Sequence, residues 1–139
     1  MQTGGGSREG GSRLNIEDRC RALLDTVGLA DKAARLPKDL TQIEMRKLEL
    51  ARAMASEPRL LIADEAMAGL SHQEVDDILA LLRKLNDQGV TIIMIEHIMR
   101  AVLAFSQRLV VLVAGRKIAD GEPKDVIRQP DVVAAYLGS

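Results

Sequence analysis

Aromatic side chains are almost missing from this chain: Phe105 and Tyr136 are its only two in 139 residues, and it has no tryptophan. Proteins that read bases or sugars by stacking need such rings, so a stacking platform is not expected here. Cysteine occurs once, as Cys20, which excludes a disulfide within the chain. No charged-then-apolar leader opens the sequence, and a reducing cytoplasm is the expected compartment. An excess of one charge is also lacking, since 19 Lys and Arg face 20 Asp and Glu for a net charge of −1. That balance gives no basic surplus to attract nucleic acid or anionic lipid. The longest apolar runs span about 5 to 7 residues against the roughly 20 that a spanning helix needs, so no direct membrane insertion is expected.

What remains is an aliphatic chain, 47% apolar with six methionines, large enough to bury a core. Residues 2–13 carry five glycines and no hydrophobic side chain, a composition that predicts a flexible tail or linker over residues 1–13. From residue 14 onward the pattern is that of one folded piece. Ile16, Cys20, Leu23, Leu24 and Val27 recur at helical spacing up to Gly28, and a short helical piece is expected near 30–35. Thr41 with Glu44 three residues later predicts a capping box at the head of a helix ending near Glu57-Pro58. Leu60–Ala63 reads as a buried parallel strand, 72–87 as a helix, 90–95 as a strand, 98–105 as a helix and 109–113 as a third buried strand. A hairpin is expected at Gly115, followed by two short helices beginning at Pro123 and Pro130. The alternation is that of an α/β fold with a mostly parallel sheet and right-handed crossovers.

Chemistry-bearing residues fall at the ends of the predicted strands, where open α/β sheets place their ligands. Asp64 and Glu65 close the first strand, and Glu96 and His97 close the second. Adjacent carboxylates at such a place can divide labour, one holding hydrated Mg²⁺ while the other orients or deprotonates water. A solvated acidic turn has the same look. A lone histidine such as His97 is usually a structural or surface group, but at a strand end its imidazole could donate to a phosphate oxygen, with Glu96 as its neighbour rather than a participant. His72 follows a turn at a helix start and is given no catalytic role.

Four segments in order carry a resemblance: Leu40–Ala53 (LTQIEMRKLELARA), Pro58–Glu65 (PRLLIADE), Ala68–Ser71 (AGLS) and Ile95–His97 (IEH). Together they closely resemble the second half of an ABC-transporter nucleotide-binding domain. Residues 115–123 and 130–138 resemble the subgroup serving branched-chain amino acid uptake. The resemblance covers about residues 14–138 and implies a partial P-loop NTPase fold: part of a helical subdomain, a mostly parallel sheet, a C-terminal hairpin and short helices. It makes Asp64 the Mg²⁺-directed acid of a Walker B strand, Glu65 the catalytic carboxylate and His97 the switch histidine sensing the γ-phosphate. Ala68, Gly69, Leu70 and Ser71 become the D-loop, and Thr41, Gln42, Ile43 and Glu44 the signature loop that meets a partner subunit's nucleotide.

The signature loop departs from the family pattern. Ile43 stands where glycine usually permits close backbone approach, and Glu44 puts a carboxylate where glutamine is usual. No Gly-x-x-x-x-Gly-Lys-Ser/Thr segment occurs anywhere in the chain. The resemblance therefore implies a piece of an ATPase subunit: the parent uses ATP and Mg²⁺, while the isolated chain is expected to bind neither appreciably nor to hydrolyse ATP. Implied partners are a second ATPase subunit and membrane permease subunits, at the cytoplasmic face of the membrane, with self-association through exposed sheet edges also expected. The competing reading is a non-catalytic interaction module derived from such an ATPase. Ile43, Glu44 and the missing loop favour it, and the intact Asp64, Glu65 and His97 oppose it.

Overall fold

Helix and strand order follows the sequence periodicity closely. The structure is a computed structural model that describes residues 9–137. The chain divides into two compact units, residues 1–61 and 62–139.

In the first unit, α1 (Glu9–Thr26) is followed by single 3-10 turns at Ala30–Lys32 and Pro37–Asp39 and by α2 (Gln42–Met54). Residues 9–13, assigned by composition to the tail, are helical as the start of α1, and residues 1–8 lie outside the described residues. Gly28, at φ +76°, ends α1: its N–H donates to the Asp25 carbonyl and that of Leu29 to the Leu24 carbonyl, the paired closure that needs a left-handed residue. α1 packs on α2, and Val27, Leu29, Leu50 and Ala51 of this unit are buried. Thr41 caps α2 as its spacing predicted: its hydroxyl accepts from the Glu44 N–H at 3.4 Å, and the Glu44 carboxylate accepts from the Thr41 N–H at 2.8 Å. Thr41→Ala removes one of these bonds and is expected to cost about 1 kcal/mol in urea unfolding of the chain. An unchanged midpoint would show that the cap contributes nothing.

β1 (Leu60–Asp64) crosses the junction and pairs in parallel with β2 (Thr91–Ile95). Between them runs α3 (His72–Asp87), which buries Val75, Ile78, Leu79, Leu81, Leu82 and Leu85. α3 packs against β2 and against α4 (Met99–Phe105), whose Ala101 and Val102 are buried. Ser71 caps α3 with a second capping box, through Glu74.

β3 (Leu109–Val113) pairs antiparallel with β4 (Arg116–Gly121), forming a separate two-stranded sheet. The third strand therefore does not continue the parallel sheet, and only Val111 of it is fully buried. Ala114 and Gly115, both at positive φ, make the two-residue turn whose twist suits a hairpin. Val111 pairs with Ala119 but Leu112 with Lys117, so Ile118 is bulged. α5 (Pro123–Val126) and α6 (Pro130–Val132), the latter continued by a wider turn over Val133–Leu137, close a small core of Val111, Ala119, Val126 and Val132.

The hairpin also carries a charged cluster. Arg108 grips Asp120 through two bonds of 2.8 Å, and Lys117 approaches it at 3.0 Å. These donors, Arg108 foremost, hold the Asp120 carboxyl far below its usual range. A depressed folded-state pKa stabilises the fold above the ordinary carboxylate pKa, near 3.9, and the contribution disappears as pH falls through the lower folded value. Asp120→Asn is thus expected to lower the thermal midpoint at neutral pH, with the gap to the parent narrowing in strong acid. A gap that stays constant with pH would remove the electrostatic explanation.

Candidate functional site

The parallel pairing of β1 and β2 brings their carboxyl ends side by side, and the acidic and imidazole residues follow from there. The Glu65 N–H donates to the Ile95 carbonyl at 2.9 Å, extending the ladder one step past β1. Glu65 sits at φ +48°, a left-handed conformation uncommon for a residue with a side chain. Such a local cost persists where surrounding bonds over-determine the backbone. Its carboxylate Oε1 lies 3.9 Å from Nδ1 of His97, and both side chains stand largely in solvent, 60% and 67% exposed. Asp64, the last residue of β1, is exposed beside them, and among the described residues no ion pair or side-chain hydrogen bond engages its carboxylate.

The segment 66–70 makes a tight turn from β1 to α3, with Gly69 at φ +78°. Within it the Met67 side chain is fully buried while Ala68, Gly69 and Leu70 lie nearer the surface. Ser71, expected in the D-loop, is committed to capping α3: its hydroxyl accepts from the Glu74 N–H, and Glu74 accepts from the Ser71 N–H. The spacing Ser-x-x-Glu is the sequence signature of this cap. Arg100 of α4 steadies the same helix start, bonding Asp76 at 2.6 Å and the His72 carbonyl at 3.1 Å.

Glu96 is placed differently from its neighbour His97. Its carboxylate turns back and accepts the Met67 N–H at 3.2 Å through Oε1, while Oε2 is shielded and has no partner among the described residues. Nothing in the residue order distinguishes a glutamate that faces solvent from one that bridges two loops.

Thr41, Gln42, Ile43 and Glu44 lie in the first unit, at the head of α2. Thr41 and Gln42 are exposed and Ile43 is half-buried. The bond from the Thr41 N–H, helped by Lys32 at 3.4 Å, holds Glu44 below its ordinary range, so its charge is kept at the positive end of the helix. Glu44 thus occupies a backbone donor that an incoming anion would otherwise use.

Oxygen donors at the end of β1 suit a hard divalent cation. Among the described residues no three His, Cys, Asp or Glu side chains converge into an all-protein cage. Mg²⁺ is such a cation, and proteins commonly hold it by one or two carboxylates with waters and substrate phosphates.

Comparisons with known proteins bear on the family and the fold. The family profile described as "ABC transporter" matches residues 3–68, and the one described as "Branched-chain amino acid ATP-binding cassette transporter" matches 116–139. The chain is 42% identical over 116 residues to the high-affinity branched-chain amino acid transport ATP-binding protein BraF of Pseudomonas aeruginosa, covering 83% of this chain and 46% of that protein. It is 39% identical over 124 residues to LivG of Escherichia coli, with 87% and 48% coverage. A methionine import ATP-binding protein of Rhodopseudomonas palustris is 41% identical over 133 residues, covering 94% of this chain and 36% of its own. Among solved structures, the ADP conformation of an ABC-transporter ATP-binding cassette superposes with a TM-score of 0.84 at 27% identity, over 99% of this chain and 54% of that one. The chain spans about half the length of the curated relatives it matches.

Proposed function

Because the chain belongs to the ABC transporter family of ATP-binding cassettes, we propose that it works as the C-terminal part of an ATP-binding subunit driving uptake of a branched-chain amino acid. The observation that carries this is the convergence of Glu65 and His97, 3.9 Å apart, beside the unengaged Asp64. In the assembled subunit Asp64 would hold Mg²⁺ through water, Glu65 would take the proton of an attacking water, and His97 would donate to the phosphoryl oxygens. Mg²⁺, when bound, neutralises phosphate charge. Ala68–Ser71 and Thr41–Glu44 are the segments offered to a second ATPase subunit. The solute assignment rests on the profile over 116–139 and on the names of the relatives, and the methionine-import relative of similar identity is its competitor. Membrane permease subunits are the further partners; no helix among the described residues is long and apolar enough to cross a membrane. Residues 14–139 are proposed as the cassette portion.

One observation favours the non-catalytic interaction module: Glu44 occupies the Thr41 N–H at the helix end that a partner's phosphate would approach. A single experiment separates the readings. The residues of the Pseudomonas aeruginosa relative that align with this chain are replaced by it, leaving that protein's own preceding half in place. Mg²⁺-dependent ATP turnover by the folded chimera is the expected result, and a folded, silent chimera would favour the module. The chain by itself carries no glycine-rich lysine loop, so its dissociation constant for Mg²⁺-ATP is expected above about 1 mM, under about 4 kcal/mol of binding. Micromolar affinity in calorimetry would overturn that expectation.

A further inference from the structure

We propose that Glu96 is a positioning residue whose carboxylate fixes the loop after β1 against the end of β2, and so sets the separation of Glu65 and His97. The inference rests on the catalytic reading of those two residues.

Backbone pairing alone does not hold this corner. The Glu65 N–H to Ile95 carbonyl bond is the step just past β1, and beyond it the chain turns away through 66–70. The next donor on that side, the Met67 N–H, finds its acceptor in the Glu96 side chain. Glu96 therefore supplies with a carboxylate the step that the diverging backbones do not. The two bonds bracket the site: one is donated by Glu65 itself, and the other is accepted by the residue immediately before His97. Met67 is fully buried, so its amide has no route to solvent as a substitute partner without moving the side chain.

The orphan Oε2 argues that the residue is not there for stability. A shielded carboxylate oxygen without a donor costs free energy, and an apolar side chain of similar size would avoid that cost. What an apolar residue lacks is the acceptor for Met67.

The test is amide exchange and imidazole ¹⁵N spectroscopy by NMR on the nucleotide-free 139-residue chain, comparing the parent with Glu96→Ala and Glu96→Gln. Glu96→Ala is expected to speed exchange of the Met67 and Glu65 amides by at least about tenfold and to shift the His97 ring signals. Amides of Ile78 and Leu82 in α3 should be unaffected. Glu96→Gln keeps one acceptor oxygen and should restore both readouts. Unchanged Met67 exchange in Glu96→Ala, equal loosening at Ile78 and Leu82, or no rescue by Glu96→Gln would each overturn the proposal. Should Glu96→Ala not fold, Met67 exchange at an unprotected rate in the parent, or lost protection in Glu96→Gln, overturns it, whereas protection in both upholds it. No nucleotide enters the measurement, so a silent chimera would refute the catalytic reading without touching this result.

Discussion

Glu65→Gln in the chimera with the Pseudomonas aeruginosa relative is expected to lower turnover by about 10²–10⁴-fold, the range that a positioned general base contributes. Glutamine keeps the volume, one acceptor oxygen and a similar cost in the left-handed backbone conformation, and loses only charge and basicity. The side chain is mostly exposed and is not part of the core, so the stability read by urea unfolding should stay within about 0.5 kcal/mol of the parent. The division between kcat and KM is the informative part. A group acting only on the attacking water leaves ground-state binding alone, so KM should hold while kcat falls.

Asp64→Asn offers the contrast. A carboxylate that serves Mg²⁺ is used in the ground state as well, so its loss should raise the Mg²⁺ concentration needed for half-maximal turnover. Retention of more than a tenth of the activity by Glu65→Gln would sink the assignment. So would a fall in kcat that excess Mg²⁺ repairs, since Glu65 would then be serving the metal.

Much of this was legible because local signals and tertiary demands agree. Thr41 with Glu44 marked the start of α2, the run Val75, Ile78, Leu79, Leu82 and Leu85 marked α3, and Gly115 marked the hairpin. The places of Asp64, Glu65 and His97 at strand ends followed from short apolar runs that stop at a charge. Less legible was how much of each strand is covered. Continuous aliphatic runs predicted burial on both faces, yet Leu60, Ile62, Ile93 and Ile95 are about half exposed, on one face of the β1–β2 pair. A run of apolar residues reports that a strand can be covered on both faces, and carries no information about whether anything covers it. The same limit applies to β3, whose five apolar residues matched a central strand but which lies in a hairpin. The bond that Glu96 makes was not legible for another reason: it depends on the direction a side chain takes, which residue order leaves open.

Leu82→Ala is expected to be the most destabilising of these substitutions, at about 2–5 kcal/mol, because Leu82 is wholly inaccessible on the central face of α3. Removal of its isobutyl group loses transfer free energy and leaves a void that Ile78 and Leu85, fully buried above and below it on the same helix, cannot fill without leaving their rotamers. The residue unit from 62 onward is small, and domains of this kind hold about 5–15 kcal/mol in all. One substitution can therefore remove a third or more of the margin and lower the thermal midpoint by about 10 °C or more. Ile62→Thr supplies the opposing case on β1. Ile62 is as apolar as Leu82 but 57% exposed, so its change should stay within about 1 kcal/mol. Equal losses at the two positions, read by urea unfolding, would mean that the outer face of the β1–β2 sheet is covered in solution. Leu82→Ala within 1 kcal/mol of the parent would mean that α3 does not carry the core.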